Sequence, residues 1–314
     1  MDVVFFGSGA FGAPSLRALA RHHTVRAVVT QPDRPAGRGG KLAPTPIADL
    51  TSSVLPGAQL IKAESVNTPE VRDHIRAIRA DVWVVIAFGQ KLSTSLLEGV
   101  FAINLHASLL PRWRGAAPIN AAILAGDAET GNSVITLADR MDAGFVLAQS
   151  RRPINERTTA GELHDQLAED GPALLLAVLS DFDSGALEQR EQDESLVTIA
   201  PKLSRKDGWV DFRQAADECA RRIRGLSPWP GVTVQVEGDD GAAPLKILRA
   251  QATPSESQQR GSPGELLDPA RGLVRCKDSV LTLVEVQPPG KRAMPWADFA
   301  RSRSPRRLIG RTES

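Results

Sequence analysis

Cysteine is scarce in this chain of 314 residues. The two present, Cys219 and Cys276, lack metal-ligand spacing and fall in the second half. No apolar run approaches the ~18 residues of a membrane span. The short apolar stretch at 3–6 has no basic segment ahead of it, so it does not read as a secretory signal. A cytoplasmic location is the expectation. Charge of one sign is missing too: 38 Lys+Arg against 37 Asp+Glu leave a formal net charge of +1. No global charge therefore advertises a nucleic acid or a membrane. Hydrophobic content of 42% and charged content of 24% are ordinary globular values and argue against disorder. The length exceeds one typical core and suggests two domains of roughly 100–200 residues.

The charge is unevenly spread. Residues 1–205 hold 20 basic and 23 acidic side chains; residues 206–314 hold 18 and 14. Much of the excess lies late, in Lys291, Arg292, Arg301, Arg303, Arg306, Arg307 and Arg311. A basic second half can be a footprint for a polyanion or a solvated tail.

Short apolar runs at 3–6, 25–29, 81–87 and 101–106 read as buried strands, with helical stretches after the first and at 70–79, 118–125 and 160–180. Strands are also expected at 133–137 and 145–149. Alternation of this kind predicts an α/β, Rossmann-like, mostly parallel sheet with helices on both faces. After about residue 185 the pattern changes. Residues 189–203 are polar and look like a linker. A helix at 215–224 then precedes short strands at 233–236, 245–250, 272–276 and 281–286, separated by Gly, Pro and Asp turns. Such strands predict a small antiparallel, OB-like β-barrel. The expected division is 1–188, a linker at 189–205, and 206–314. The Pro/Ser/Gln-rich stretch 253–263 reads as a long loop.

Gly7, Gly9 and Gly12 spell GxGxxG between a strand and a helix, the dinucleotide fingerprint. The acidic residue that should end the second strand is not there: that strand ends Val28-Val29-Thr30-Gln31-Pro32, and Asp33 lies beyond the proline. A tight turn explains the glycines better than a nicotinamide cofactor. The loop that follows, 31–42, sets Arg34, Arg38 and Lys41 among three glycines and two prolines. Either it is a basic loop shaped for a phosphate backbone, or it is a surface linker.

The segment 101–118 is the most informative. In a strand, Phe101, Ile103 and Leu105 share one face, and Asn104 and His106 share the other, about 7 Å apart. Two polar side chains at the carboxyl end of a core strand need partners or a cleft. Asn supplies a neutral amide donor and His a group that exchanges protons near neutral pH. Together they suit an oxyanion forming on an attacked carbonyl, although a histidine bonded to backbone also fits His106. Asp142, in Arg140-Met141-Asp142-Ala143-Gly144, follows the next strand and should reach the same edge. It could hold His106 protonated and take up a proton through water, or serve only as a turn residue. No covalent nucleophile stands out, since Ser108 lacks a GxSxG context. The site reads as one for direct transfer between two bound substrates.

The run at 104–118, Asn-Leu-His-Ala-Ser-Leu-Leu-Pro-Arg-Trp-Arg-Gly-Ala-Ala-Pro, resembles the signature of the folate-dependent formyltransferases. Residues 30–39, 126–131 and 142–144 and Pro228-Trp229-Pro230 agree with it. The likeness is to the branch of the family that acts on initiator methionyl-tRNA. It implies formyl transfer from 10-formyltetrahydrofolate to the amino group of that tRNA, with no metal. It also implies Asn104, His106 and Asp142 as catalytic residues and Ser108, Leu109, Leu110 and Pro111 as a turn touching the reduced folate. Arg34, Arg38 and Lys41 would meet the tRNA acceptor end, and the barrel would bind the same tRNA. A monomer with no membrane partner is expected. Three places depart from the family pattern: Gly-Ser-Gly-Ala-Phe-Gly at 7–12 instead of Gly-Thr-Pro-x-Phe-Ala, Phe88 for a common Tyr in a chain with no Tyr, and Phe145 where Asp is frequent. A sugar-nucleotide N-formyltransferase would share the catalytic segment without needing the basic loop. A nicotinamide oxidoreductase would leave that segment unexplained. An RNA-binding module would leave the whole first domain idle.

Overall fold

The apolar run near the start forms β1 (Asp2–Gly7), buried from Val3 onward. In the computed structural model, residues 1–36, 40–238, 241–253 and 261–310 are described. α1 (Ala13–His22), β2 (Thr24–Thr30), β3 (Arg34–Ala36), β4 (Lys41–Ala43), α2 (Pro46–Val54), β5 (Gln59–Lys62), α3 (Pro69–Arg76), β6 (Val82–Ile86), α4 (Thr94–Leu97), β7 (Ala102–His106) and β8 (Arg114–Gly115) follow in order. Proline stands in the first turn of α1, α2 and α3. There its missing N–H costs nothing and its fixed φ starts the helix. The chain continues through α5 (Pro118–Ala125), β9 (Glu129–Thr136), β10 (Val146–Pro153), α6 (Ala160–Ser184) and β11 (Ile199–Ala200).

The chain divides into two units that do not follow sequence order. One takes Met1–Gly115, Thr130–Arg152 and His164–Ile199; the other takes Ala116–Glu129, Pro153–Leu163 and Ala200–Ser314. The first holds a seven-stranded sheet in the order β10-β9-β7-β6-β1-β2-β5. β5, β2, β1, β6 and β7 pair in parallel, and β9 joins β7 antiparallel. The carboxyl ends of the parallel strands, at Gly7, Thr30, Ile86 and His106, therefore share one edge. The other side of β7 is held by α6: a Cβ on Gly171 would come 2.6 Å from Leu105 Cδ2, so a larger residue there would have to push that side chain aside.

In the second unit α7 (Ala216–Gly225) precedes β12 (Val232–Gly238), β13 (Gly241–Thr253), β14 (Leu266–Asp268), β15 (Leu273–Arg275), β16 (Val280–Gln287), β17 (Met294–Pro295), α8 (Trp296–Arg303) and β18 (Pro305–Ile309). The order β14-β15-β16-β13-β12-β18 nearly closes on itself. Leu308 N–H donates to Gly264 O at 2.8 Å, and Glu265 bridges Arg307. This is the expected antiparallel barrel. Its core includes Val234, Ile247, Leu281, Trp296, Leu308 and both cysteines. The neighbouring Cys276 and burial push the Cys219 thiol up, so it stays protonated. The basic stretch past 291 is largely structured, as α8 and β18. Among the described residues no helix is long and apolar enough to cross a membrane.

One ion pair in this unit makes acid stability testable. Glu162 forms a capping-box pair with Thr159 at the start of α6 and binds Arg249 Nη2 at 2.7 Å. Arg249 on β13, followed by the Thr159 backbone and hydroxyl, holds Glu162 down at about 2, against its ordinary 4.5. A depressed carboxylate stabilises the fold above its ordinary pKa, and this is lost as pH falls from 4.5 toward about 2. Glu162 is 44% exposed, so solvent screening keeps the effect modest. Acid unfolding followed by circular dichroism should show Arg249→Met less stable at neutral pH and less pH-dependent across that window. An unchanged slope would show that the pair adds nothing.

Candidate active site

The glycine-rich turn is spent on its own fold. Ser8 and Gly9 N–H groups both donate to Ala87 O at 3.2 Å. Ser8 Oγ donates to Phe88 O at 3.2 Å and accepts from Gln31 N–H at 3.1 Å. A Cβ on Gly7 would come 2.9 Å from Ile86 O. The glycines thus allow close packing of β1 on β6, and the Ser8 and Gly9 amides that a pyrophosphate would need are already bonded.

β7 delivers Asn104 and His106 to the carboxyl edge on one face, as its alternation requires. His106 is 7% exposed. Its Nε2 lies 2.9 Å from Trp113 O. A carbonyl can only accept, so Nε2 carries the hydrogen and Nδ1 is the nitrogen left for chemistry. Nδ1 faces Asp142 Oδ2 at 3.7 Å, too far for a direct hydrogen bond. Asn104 is half-buried, and its amide makes no hydrogen bond to another described residue. A neutral donor, an imidazole nitrogen and a carboxylate therefore meet at one edge.

Asp142 has φ +54, unusual for a residue other than glycine. Its Oδ2 accepts the Gly115 N–H at 2.9 Å. Trp113 also has positive φ, +61. Trp113 N–H donates to Thr198 Oγ1 and Arg114 N–H to Thr198 O, both at 2.9 Å. Residues 113–115 thus form one strip that binds His106 through a carbonyl and Asp142 through an amide. Gln192 and Glu194 back the same region: Gln192 bonds the Asp142 loop, and Glu194 pairs with Arg114 and Arg140. Sequence reasoning missed both, because they sit in the polar stretch read as a linker. The one signal was Arg114 inside the apolar signature, a cation that needs a partner.

The turn after β7 is equally fixed. Ser108 is fully buried and its Oγ donates to Arg112 O at 2.6 Å. Ser133 Oγ donates to Ser108 O at 2.6 Å and accepts from Leu110 N–H at 3.1 Å. Gln149 Nε2 donates to Leu110 O at 2.9 Å, and the Leu110–Pro111 peptide is cis. Leu109 and Pro111 remain half-exposed while Leu110 is buried.

Of the three basic loop residues, Arg34 and Lys41 fall on a β3–β4 hairpin with Arg34 opposite Ala43 and Ala36 opposite Lys41. Both are exposed, and Arg34 lies 3.8 Å from Glu64. Arg38 lies outside the described residues. No group of three or more His, Cys, Asp or Glu among the described residues could hold a metal.

Residues 1–179 match the family described as formyl transferase, and residues 202–304 match its C-terminal domain. A methionyl-tRNA formyltransferase of Methylococcus capsulatus is 40% identical over 303 residues, covering 95% of this chain and 96% of its own length. One from Thiobacillus denitrificans is 40% identical over 309 residues, covering 97% of each. Among solved structures, an N-formyltransferase from Helicobacter canadensis in complex with folinic acid and dTDP-3-aminofucose has a TM-score of 0.66 at 14% identity, covering 90% of this chain and 97% of its own. HypX from Aquifex aeolicus has a TM-score of 0.62 at 18% identity over 95% of this chain, which spans only 48% of HypX. At such identities those two show a shared fold. The two family matches and the relatives near 40% identity go further: the chain belongs to the formyl transferase family, among the methionyl-tRNA formyltransferases.

Proposed function

We propose that this chain transfers the formyl group of 10-formyltetrahydrofolate to the α-amino group of initiator methionyl-tRNA. The observation that carries the chemistry is the pairing of His106 Nδ1 with Asp142 at 3.7 Å beside the Asn104 amide. The amine attacks the formyl carbon and forms a C–N bond. Asn104 Nδ2 and the Nδ1–H of protonated His106 donate to the tetrahedral oxyanion. Asp142 orients His106 and takes the amine's proton through a water. The carbonyl reforms, the bond to the folate nitrogen breaks, and a proton ends on that nitrogen. An α-amino group titrates near ~8, so a useful fraction is already neutral and nucleophilic. The turn of Ser108, Leu109, Leu110 and Pro111 holds the reduced folate, with Leu109 and Pro111 offering the accessible surface.

Catalysis belongs to the first unit, which includes residues 189–199 as well as most of 1–188, and the barrel of 206–314 binds the tRNA. The protein works as a monomer in the cytoplasm. The basic loop 31–42 meets the acceptor end of the tRNA through Arg34, Arg38 and Lys41. The test is transfer of labelled formyl from 10-formyltetrahydrofolate to charged initiator tRNA. Transfer to a nucleotide-linked amino sugar and none to the tRNA would keep the chemistry and overturn the partner. In the same assay, Arg34→Ala/Lys41→Ala should raise KM for the tRNA and leave kcat nearly unchanged. The slope of log affinity against log salt should flatten by about 0.7 for each phosphate that is no longer neutralised. An unchanged slope would remove the hairpin from the interface.

A further inference from the structure

Gln192 makes three hydrogen bonds that no general need of the fold demands. Its Nε2 donates one hydrogen to Asp142 O at 2.8 Å and the other to Gly144 O at 2.7 Å. Its Oε1 accepts from Arg114 Nε at 3.0 Å. These three bonds fix which way the amide points. Turned over, it would set its oxygen against two carbonyl oxygens and its NH2 against a guanidinium. Arg114 is 5% exposed, and the rest of its fork is paired to Glu194, at 2.9 Å through Nη2. Glu194 also binds Arg140, two residues before Asp142, at 2.9 Å. Two connections thus run from Arg114 to the loop carrying Asp142, one through Gln192 and one through Glu194. Arg114 itself lies between the residue that binds His106 and the residue that binds Asp142.

The Asp142 backbone needs such support. Left-handed φ is unfavourable for a residue with a side chain, and it persists only where surroundings enforce it. Gly115 N–H is the one backbone amide bonded to the carboxylate among the described residues. The carboxylate's distance from His106 is therefore set by where the 140–144 backbone sits, and Gln192 grips that backbone on both sides of Ala143. We propose that Gln192, held by Arg114, is a positioning residue that sets the Asp142 carboxylate against His106. It touches no substrate; it acts through Asp142.

The inference rests on the proposed formyl transfer, and it has a readout that does not depend on it. The Gly115 amide reports the Asp142 carboxylate directly. In Gln192→Glu, an isosteric change, the donors to two carbonyls are replaced by an oxygen. The Gly115 amide signal in a 15N-labelled spectrum should move and exchange faster with solvent, as it should in Asp142→Asn. Formyl transfer by Gln192→Glu should fall about 100-fold in kcat, the usual cost of misplacing a group by about 1 Å, with both KM values within about twofold. In an Asp142→Asn background the same change should cost little more, because the two act through one group. Gln192→Ala serves as a second variant without the added charge and should follow the same pattern. The proposal falls if the Gly115 signal and kcat are unchanged in both variants. It falls equally if the losses of Gln192→Glu and Asp142→Asn multiply in the double variant. If wild type transfers no formyl to the tRNA, the function reading fails, and the Gly115 signal still decides whether Gln192 holds Asp142.

Discussion

Replacing His106 with alanine should lower kcat for formyl transfer by about 10²- to 10⁴-fold, the range expected for losing a positioned proton-transfer group. The ring is buried, and Nε2 is tied to Trp113 O. Only Nδ1 can serve the reaction, so no second nitrogen can take over. The variant also leaves Asp142 facing a gap where the imidazole would stand. Neither effect depends on how the tRNA is held, so KM for the tRNA should change by no more than a few-fold. Stopped-time assays at saturating tRNA measure the loss, and circular dichroism shows whether the variant keeps its fold. A folded variant within tenfold of wild type would mean that Asn104 and Asp142 suffice, and that His106 is a core histidine bonded to backbone. An added imidazole that restores part of the rate would tie the loss to the missing ring itself.

Gly144→Ala should be nearly as damaging, although it removes no reacting group. A Cβ on Gly144 would come 1.7 Å from Thr136 O and 2.6 Å from Thr136 C. Those are backbone atoms of β9, whose residues 133–136 pair with β7 from His106 to Ile103. The strand cannot step aside without carrying His106 with it. The loop must move instead, and Asp142 lies two residues upstream. A shift near 1 Å predicts a loss of about 100-fold in kcat. Overpacking of this kind also costs about 1–3 kcal/mol of stability. Thermal unfolding and turnover should therefore fall together. A normal Tm with normal kcat would show that the loop absorbs the methyl elsewhere.

The strand that carries the candidate site was legible because its pattern was local. Alternation along 101–106 placed Ile103 and Leu105 on one face and Asn104 and His106 on the other, and β7 carries them so. The barrel was legible from the same kind of signal, as in Val232, Val234 and Val236, which are buried in alternation. The β3–β4 hairpin was hidden because its strands of three residues carry Pro35 and lie among glycines, which mask any alternation. The basic stretch after 291 read as a footprint or a tail because its charges outnumber its anchors. Trp296, Phe299 and Leu308 are those anchors. Gln192 was out of reach for another reason. It meets Asp142 across 50 residues of sequence, through backbone carbonyls that every residue has. No residue type at position 142 or 144 announces such a partner. The polar character of 189–203 looked like solvation, whereas Gln192 and Glu194 spend their polarity on the site.

The closing strand of the barrel has a consequence for how the chain is made. β18 follows every other barrel strand in sequence, yet it pairs with β12 and reaches Gly264. During synthesis the edges of β12 and β14 stay uncovered until residue 309 has left the ribosome, at the usual ~5–20 residues per second. Uncovered strand edges are templates for wrong pairing. Until β18 emerges and pairs, a nascent copy therefore carries two open strand edges, a target for wrong pairing and for a chaperone.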